Sequence, residues 1–288
     1  MSESVSAPTR YRWNDDGWRG RPWHEVVAIE LTASSTTQVL AARHLPSLVE
    51  AGFGAIALRS TSAMARMAPM VLSEFVDRAH AAGLLIVQHD GADAVANVDF
   101  HLDGLLVADD LPPGVFGDDD IALRRLVAGW VRAGGQSHVH QQSENQRLHA
   151  LRWPTATADP PWRDAWDACA LLSPSIPLIV GDAHEDGIDP MRWRSLIALR
   201  RRELAPRIAR GHGRGSFRVD GGLIRIEWPL GDASSWHMVV NMSAAAVTTG
   251  ALPACWTVHS SRTRPAQSPG EIELDPGGIL VAAVEPGA

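Results

Sequence analysis

The chain has 288 residues, suited to one large domain or a domain with a smaller companion, and 45% of them are hydrophobic against 20% charged. A net charge of −7 argues against the basic footprint that nucleic acid or an anionic membrane surface selects. Every basic residue is arginine, so Schiff-base chemistry on lysine is excluded. No apolar run nears the roughly 18 residues of a membrane span. The opening Met-Ser-Glu-Ser-Val-Ser-Ala-Pro lacks the basic-then-apolar order of a signal peptide. A cytoplasmic protein is expected, with Cys169 and Cys255, far apart in sequence, as free thiols of a reducing compartment.

In chain order, residues 1–24 form a polar, aromatic lead-in, and Val26–Leu31 follows as a short apolar run of the kind buried in parallel sheets. Thr37–Ala51 has helical spacing and stops at Gly52, and Ala55–Arg59 is a second buried strand. Pro69–Ala82 predicts a helix closed by Gly83, and Leu84–His89 a third strand. Gly104–Ala108 predicts a fourth strand, Asp120–Ala133 a helix and Ser137–Gln141 a fifth strand. Trp162–Leu172 is helical by pattern, Pro177–Val180 a strand, and Pro190–Leu204 a strongly basic helix. Such alternation implies a parallel sheet covered by helices, in about six β/α units where a full barrel has eight. After Gly211-His-Gly-Arg-Gly215 the texture changes to short strands at Phe217–Val219, Leu223–Trp228, His237–Met242 and Ile279–Val284, the mark of a small antiparallel β sandwich. The expected fold is therefore α/β: a compacted, incomplete (β/α) TIM-type barrel over residues 25–210, then a β sandwich over 211–288.

Chemistry enters with Asp99-Phe-His-Leu-Asp-Gly-Leu-Leu-Val-Ala-Asp-Asp110. This stretch resembles the fourth-strand motif of glycoside hydrolase family 13, the α-amylase clan, which in the malto-oligosyltrehalose trehalohydrolase branch reads roughly H-V-D-G-L-R-L-D-A. His101, Asp103, Gly104 and Leu105 fit it. Further segments resemble the same family in the same order: Trp13–Ala33, Phe75–Val87, Leu171–Gly181 and Arg194–Glu203. The resemblance implies a barrel with a C-terminal β domain and an ancestral activity on α-glucans.

The departures gather at the active site. The motif arginine falls on Leu106 and the nucleophilic aspartate on Ala108. The third-strand motif shrinks to Gln88-His89-Asp90, and alignment on Asn145-Gln-Arg147 puts the general-acid glutamate on His140. The third family carboxylate, in an N-H-D motif, has no counterpart before Leu171. A retaining glycosidase needs one carboxylate as nucleophile and a protonated carboxyl as acid; a methyl group does neither. The expectation is therefore a non-catalytic relative that binds a carbohydrate or a partner enzyme, through His89, Asp90, Asp103, Asp109 and His140. The alternative is a residual hydrolase using Asp109, Asp110 and His140. Asp109 would need a bulge to face the mouth, because successive strand residues point to opposite faces.

Other signals carry less. Eleven tryptophans, against one tyrosine and five phenylalanines, suit either sugar-stacking platforms or a core. His138, His140, Asp182, His184 and Glu185 offer no complete ligand set, so no metal and no cofactor is expected. The glycines at 211–215 follow a helix, unlike the strand–loop–helix order of phosphate-binding loops, and read as a linker. Arg192–Arg210 reads as a solvated helix face with some capacity to grip an acidic partner. Shortened loops predict fewer than eight regular strands, closed irregularly or paired across a gap by a second copy.

Overall fold

The computed structural model describes residues 26–32, 45–59, 69–89, 100–102, 106–107, 123–124, 127–131, 147–148, 150–153, 160–180, 190–208, 213–250 and 256–286. Eight parallel strands form the first sheet: β1 (Ala28–Thr32), β2 (Ala55–Arg59), β3 (Leu85–His89), β4 (Phe100–Leu102), β5 (Leu106–Val107), β6 (Arg147–Leu148), β7 (Ala150–Trp153) and β8 (Ile176–Val180). They pair in the order β5-β7-β8-β1-β2-β3-β4-β6. The two ends of that order belong to shared stretches of chain. β4 and β5 both lie within 100–107, β6 and β7 both within 147–153, and β4 pairs with β6 while β5 pairs with β7. Parallel pairing therefore passes from β1 through β2, β3, 100–107, 147–153 and β8, and returns to β1.

One irregularity sits in that cycle. Leu102 is opposite Leu148, whereas Leu106 is opposite Leu151, four residues against three. The register slips by one, as when a strand carries an extra residue.

Side-chain size separates the two faces of the strands. Val26, Ala28, Ala55, Ala57, Leu85, Val87 and Leu178 form one buried cluster, with residues alternating along each strand as a pleat requires. Three of the seven are alanine, which suits a face with little room. The intervening Val27, Ile29, Ile56, Leu58, Ile86 and Ile179 are bulkier and join the main core beneath the helices. The helix Pro69–Ala81 contributes Leu72, Phe75, Val76 and Ala79 to that core, at helical spacing. It ends at Gly83, whose φ of 82° is the left-handed value that favours glycine.

The expected fifth strand, Ser137–Gln141, is not among the described residues. The strand leading into the helix Pro160–Leu171 is 147–153. Arg147, His149 and Arg152 break up its apolar pattern, so its sequence resembles a loop.

Residues from 216 onward form a six-stranded antiparallel sheet: β9 (Ser216–Asp220), β10 (Leu223–Pro229), β11 (Ser235–Asn241), β12 (Val247–Thr249), β13 (Trp256–Pro265) and β14 (Ile272–Val284). The order is β12-β14-β11-β10-β9, with β13 also on β14. The antiparallel strands expected there are present, linked by thirteen-residue β14, whose ends serve different neighbours.

Both sheets share one core, joined around the turn Leu172–Ser175 between the helix Pro160–Leu171 and β8. Arg200, fully buried, donates to the carbonyls of Leu171 (2.9 Å), Ser173 (2.6 Å) and Ser175 (2.7 Å). It opens a π-helical turn, Arg200–Leu204, in the last helix. Trp236 of β11 donates its indole N–H to Leu172 O at 2.8 Å, and Trp130 donates to Ser173 Oγ at 2.7 Å. Arg124 reaches Val219 O on edge strand β9 at 2.7 Å. Trp228 packs against Trp130, their ring centroids 5.9 Å apart, and a Cβ at Gly215 would fall 2.5 Å from Trp228 Cδ1. Arg207 binds Asp232 at 3.1 Å and Glu285 at 2.8 Å.

Arg200→Met should cost about 3 kcal/mol or more, because buried carbonyls left without a donor each carry a penalty of about 1–3 kcal/mol. Urea unfolding followed by circular dichroism and by tryptophan fluorescence should show both sheets losing stability in one shared transition.

Candidate functional site

Ligands of parallel α/β folds bind beyond the carboxyl ends of the strands. Here those ends are Thr32, Arg59, His89, Val107, Trp153 and Val180. Of these, Thr32 is opposite Arg59, while His89 is opposite Leu102 and Val180 opposite Glu30.

Beneath this rim lies Glu30, a charged side chain buried to 2% exposure. Its register partners are Ala57 and Val180, and Ala28 precedes it on the same face by the strand's alternation. A carboxylate placed among alanines and valines pays a desolvation cost that a polar partner must offset, and Glu30 has such an interaction. The sequence reading missed it as a site residue. The signal was a glutamate inside the otherwise apolar Val-Val-Ala-Ile-Glu-Leu.

Of the residues expected from the motifs, His89 closes β3, two places beyond Val87. Asp90, Asp103, Ala108, Asp109, Asp110 and His140 lie outside the described residues. Leu106, in the arginine slot, is in β5 opposite Leu151. Val107 is opposite Arg152, which is opposite Leu178 of the alanine-rich cluster. On the far side of the slip, Phe100 is opposite Val87 of the same cluster. Phe100 in β4 and Val107 in β5 thus share the register of that cluster.

The tryptophans described favour the core over sugar-stacking platforms. Trp130, Trp162, Trp166, Trp193, Trp228 and Trp236 are all at most 8% exposed. The arginines after Pro190 are largely committed within the chain. Arg192 pairs with Asp167, Arg194 with Glu50 and Arg202 with Glu203, and Arg201 binds Gly52 O. Burial raises the Asp167 carboxyl above its ordinary range, with Arg192 opposing it. Burial also pushes the Arg200 guanidinium down to about 9. Among the described residues no three His, Cys, Asp or Glu side chains gather as metal ligands, and no helix is long and apolar enough to cross a membrane.

Residues 211–281 match the family described as a domain of unknown function, DUF3459. No curated protein matches the chain. Solved structures similar to it include an acarbose-soaked debranching enzyme of Nostoc punctiforme, at 13% identity over 85% of this chain and 60% of that one, with a TM-score of 0.40. The trehalose-6-phosphate hydrolase of Bacillus licheniformis is 9% identical over 88% of this chain and 69% of that one (TM-score 0.45). An α-glucosyl transfer enzyme is 10% identical over 91% and 99% (TM-score 0.49). The chain thus spans less than two thirds of the debranching enzyme.

Glu30→Leu should destabilise the fold by about 1–3 kcal/mol more than Glu30→Gln, because leucine strands the group that Glu30 satisfies while glutamine still hydrogen-bonds. Paired chemical-denaturation curves of the two variants measure that difference.

Proposed function

We propose that this chain is a contracted relative of family 13 glycoside hydrolases that binds an α-glucan or trehalose-related carbohydrate without hydrolysing it. The observation that carries the reading is the pair of strands β4 and β5. β4 pairs with β3 and β5 with β7, while the sequence there reads Leu106-Val107-Ala108 against the arginine and nucleophilic aspartate of the family motif. The cyclic pairing through six stretches supports a barrel of fewer staves, and the DUF3459 match over 211–281 fits a retained C-terminal β domain. An acidic partner enzyme is the less favoured occupant, because the arginines at 192, 194, 202 and 207 already pair with carboxylates of this chain.

One observation favours a second reading, a residual hydrolase. Val107 is in register, through Arg152, with Leu178 of the inner cluster, and Asp109 stands two places further along the sequence. His140 would then be the candidate acid, a group whose ordinary pKa suits proton transfer near neutrality.

Incubation with malto-oligosyltrehalose and with malto-oligosaccharides, followed by chromatography of the products, separates the two. The first reading predicts no turnover above a protein-free control. Hydrolysis that disappears in Asp109→Asn or Asp110→Asn would establish the second.

A further inference from the structure

The antiparallel sheet has one face turned to the shared core, through Trp228, Trp236 and Met238, and carries a polar cluster on the other. Ser235 and His237 stand two residues apart on β11, hence on the same face, with Ser235 Oγ 2.8 Å from His237 Nε2. Glu227 of β10 lies directly opposite His237, and Pro229 opposite Ser235. Leu230 N–H donates to Ser234 O, which makes that pair, and every second pair from it, hydrogen-bonded. Glu227 and His237 therefore occupy the intervening kind of position, where opposed side chains approach most closely. On the remaining side the neighbours are small or uncharged: Ala282 of β14 opposite His237, and Thr257 of β13 opposite Ala282. Arg225, one same-face position along β10, is tied to Thr249 Oγ1 at 3.2 Å.

We propose that Ser235, His237 and Glu227 form an acyl-accepting centre that takes acyl groups from small activated esters. A serine within hydrogen-bonding reach of an imidazole, itself facing a carboxylate, is the arrangement that activates a hydroxyl nucleophile. With Nε2 accepting from the Ser235 hydroxyl, the proton of the neutral ring sits on Nδ1, the tautomer a nearby carboxylate favours. Burial holds His237 below its ordinary pKa, against the attraction of Glu227, so the ring is neutral at pH 7 and free to take a proton.

The step balances without an added redox partner. Ser235 Oγ attacks the ester carbonyl, its proton passes to His237 Nε2, and the carbon–oxygen bond to the leaving alcohol breaks as that alcohol takes the proton back. Water then cleaves the acyl-serine by the same route and releases the acid. The backbone N–H groups around Ser235 lie in the β10–β11–β14 ladders. Acceleration accordingly comes from general-base assistance, on the order of 10²–10⁴-fold.

The full chain should take up one equivalent of a fluorophosphonate, seen as a single mass increment, and peptide mapping should place it on Ser235. The p-nitrophenyl acetate acylation rate should rise with pH through a value below 6.5 and then level off. It should fall about a hundredfold or more in His237→Gln, and severalfold in Glu227→Gln, whose exposed side chain is removable without unfolding the sheet. Ser260→Ala, at an exposed serine of β13, should change nothing. A label absent, or mapped anywhere but Ser235, or a rate unchanged in a folded His237→Gln, overturns the proposal.

Discussion

The turn Leu172–Ser175 is the point on which the two sheets depend. Its carbonyls are the last ones of the helix Pro160–Leu171 and its extension, groups with no partner inside the helix. The chain satisfies them with side chains drawn from distant elements: Arg200 of the final helix, Trp236 of the antiparallel sheet, and, through the Ser173 hydroxyl, Trp130. A buried guanidinium is costly unless its donors are used. Three carbonyls aimed at one arginine meet most of that requirement, although its Nε remains without a partner. The indoles do two things at once, filling core volume and donating their N–H groups to the turn. The Trp236 bond makes the antiparallel sheet an integral part of the parallel fold.

Around that anchor, contraction has consequences for any site. The strands turn mostly isoleucine and valine toward the helices, while the inner cluster is filled with alanine, valine and leucine. The stretch that resembles the fourth-strand motif is also where the pairing offset changes, from Leu102 opposite Leu148 to Leu106 opposite Leu151. A slip of one residue exchanges the two faces of a strand, so the identity of the inner residues changes without any substitution. Glu30 is set deep enough beneath the strand ends to act as part of the floor.

How legible each element was follows from burial. β1, β2, β3 and β8 were readable because strands shielded on both faces become unbroken apolar runs, and the helix at 69–81 because one face carries Leu72, Phe75, Val76 and Ala79. The strand at 147–153 was not, since arginine and histidine interrupt it. Nor was β13, an edge strand whose Thr-Val-His-Ser-Ser-Arg-Thr-Arg has no apolar periodicity and whose pairing shifts register twice. That the resemblance sets Leu106 and Ala108 against the motif's arginine and aspartate is a reading of sequence alone, and Ala108 lies outside the described residues. The slip between 102 and 106 could not be read that way: Leu-Asp-Gly-Leu-Leu offers the pleat no unique phase, and only cross-strand pairing reveals which phase the chain adopts.

Equilibrium dialysis of the purified chain against radiolabelled malto-oligosaccharide at millimolar concentration, with the retained sugar recovered and sized, tests the central claim most directly. A scaffold that has kept its binding surface and lost its nucleophile retains sugar in excess over the free compartment and returns it at its original length. Shortened sugar, or no retention beyond the free concentration, would contradict it.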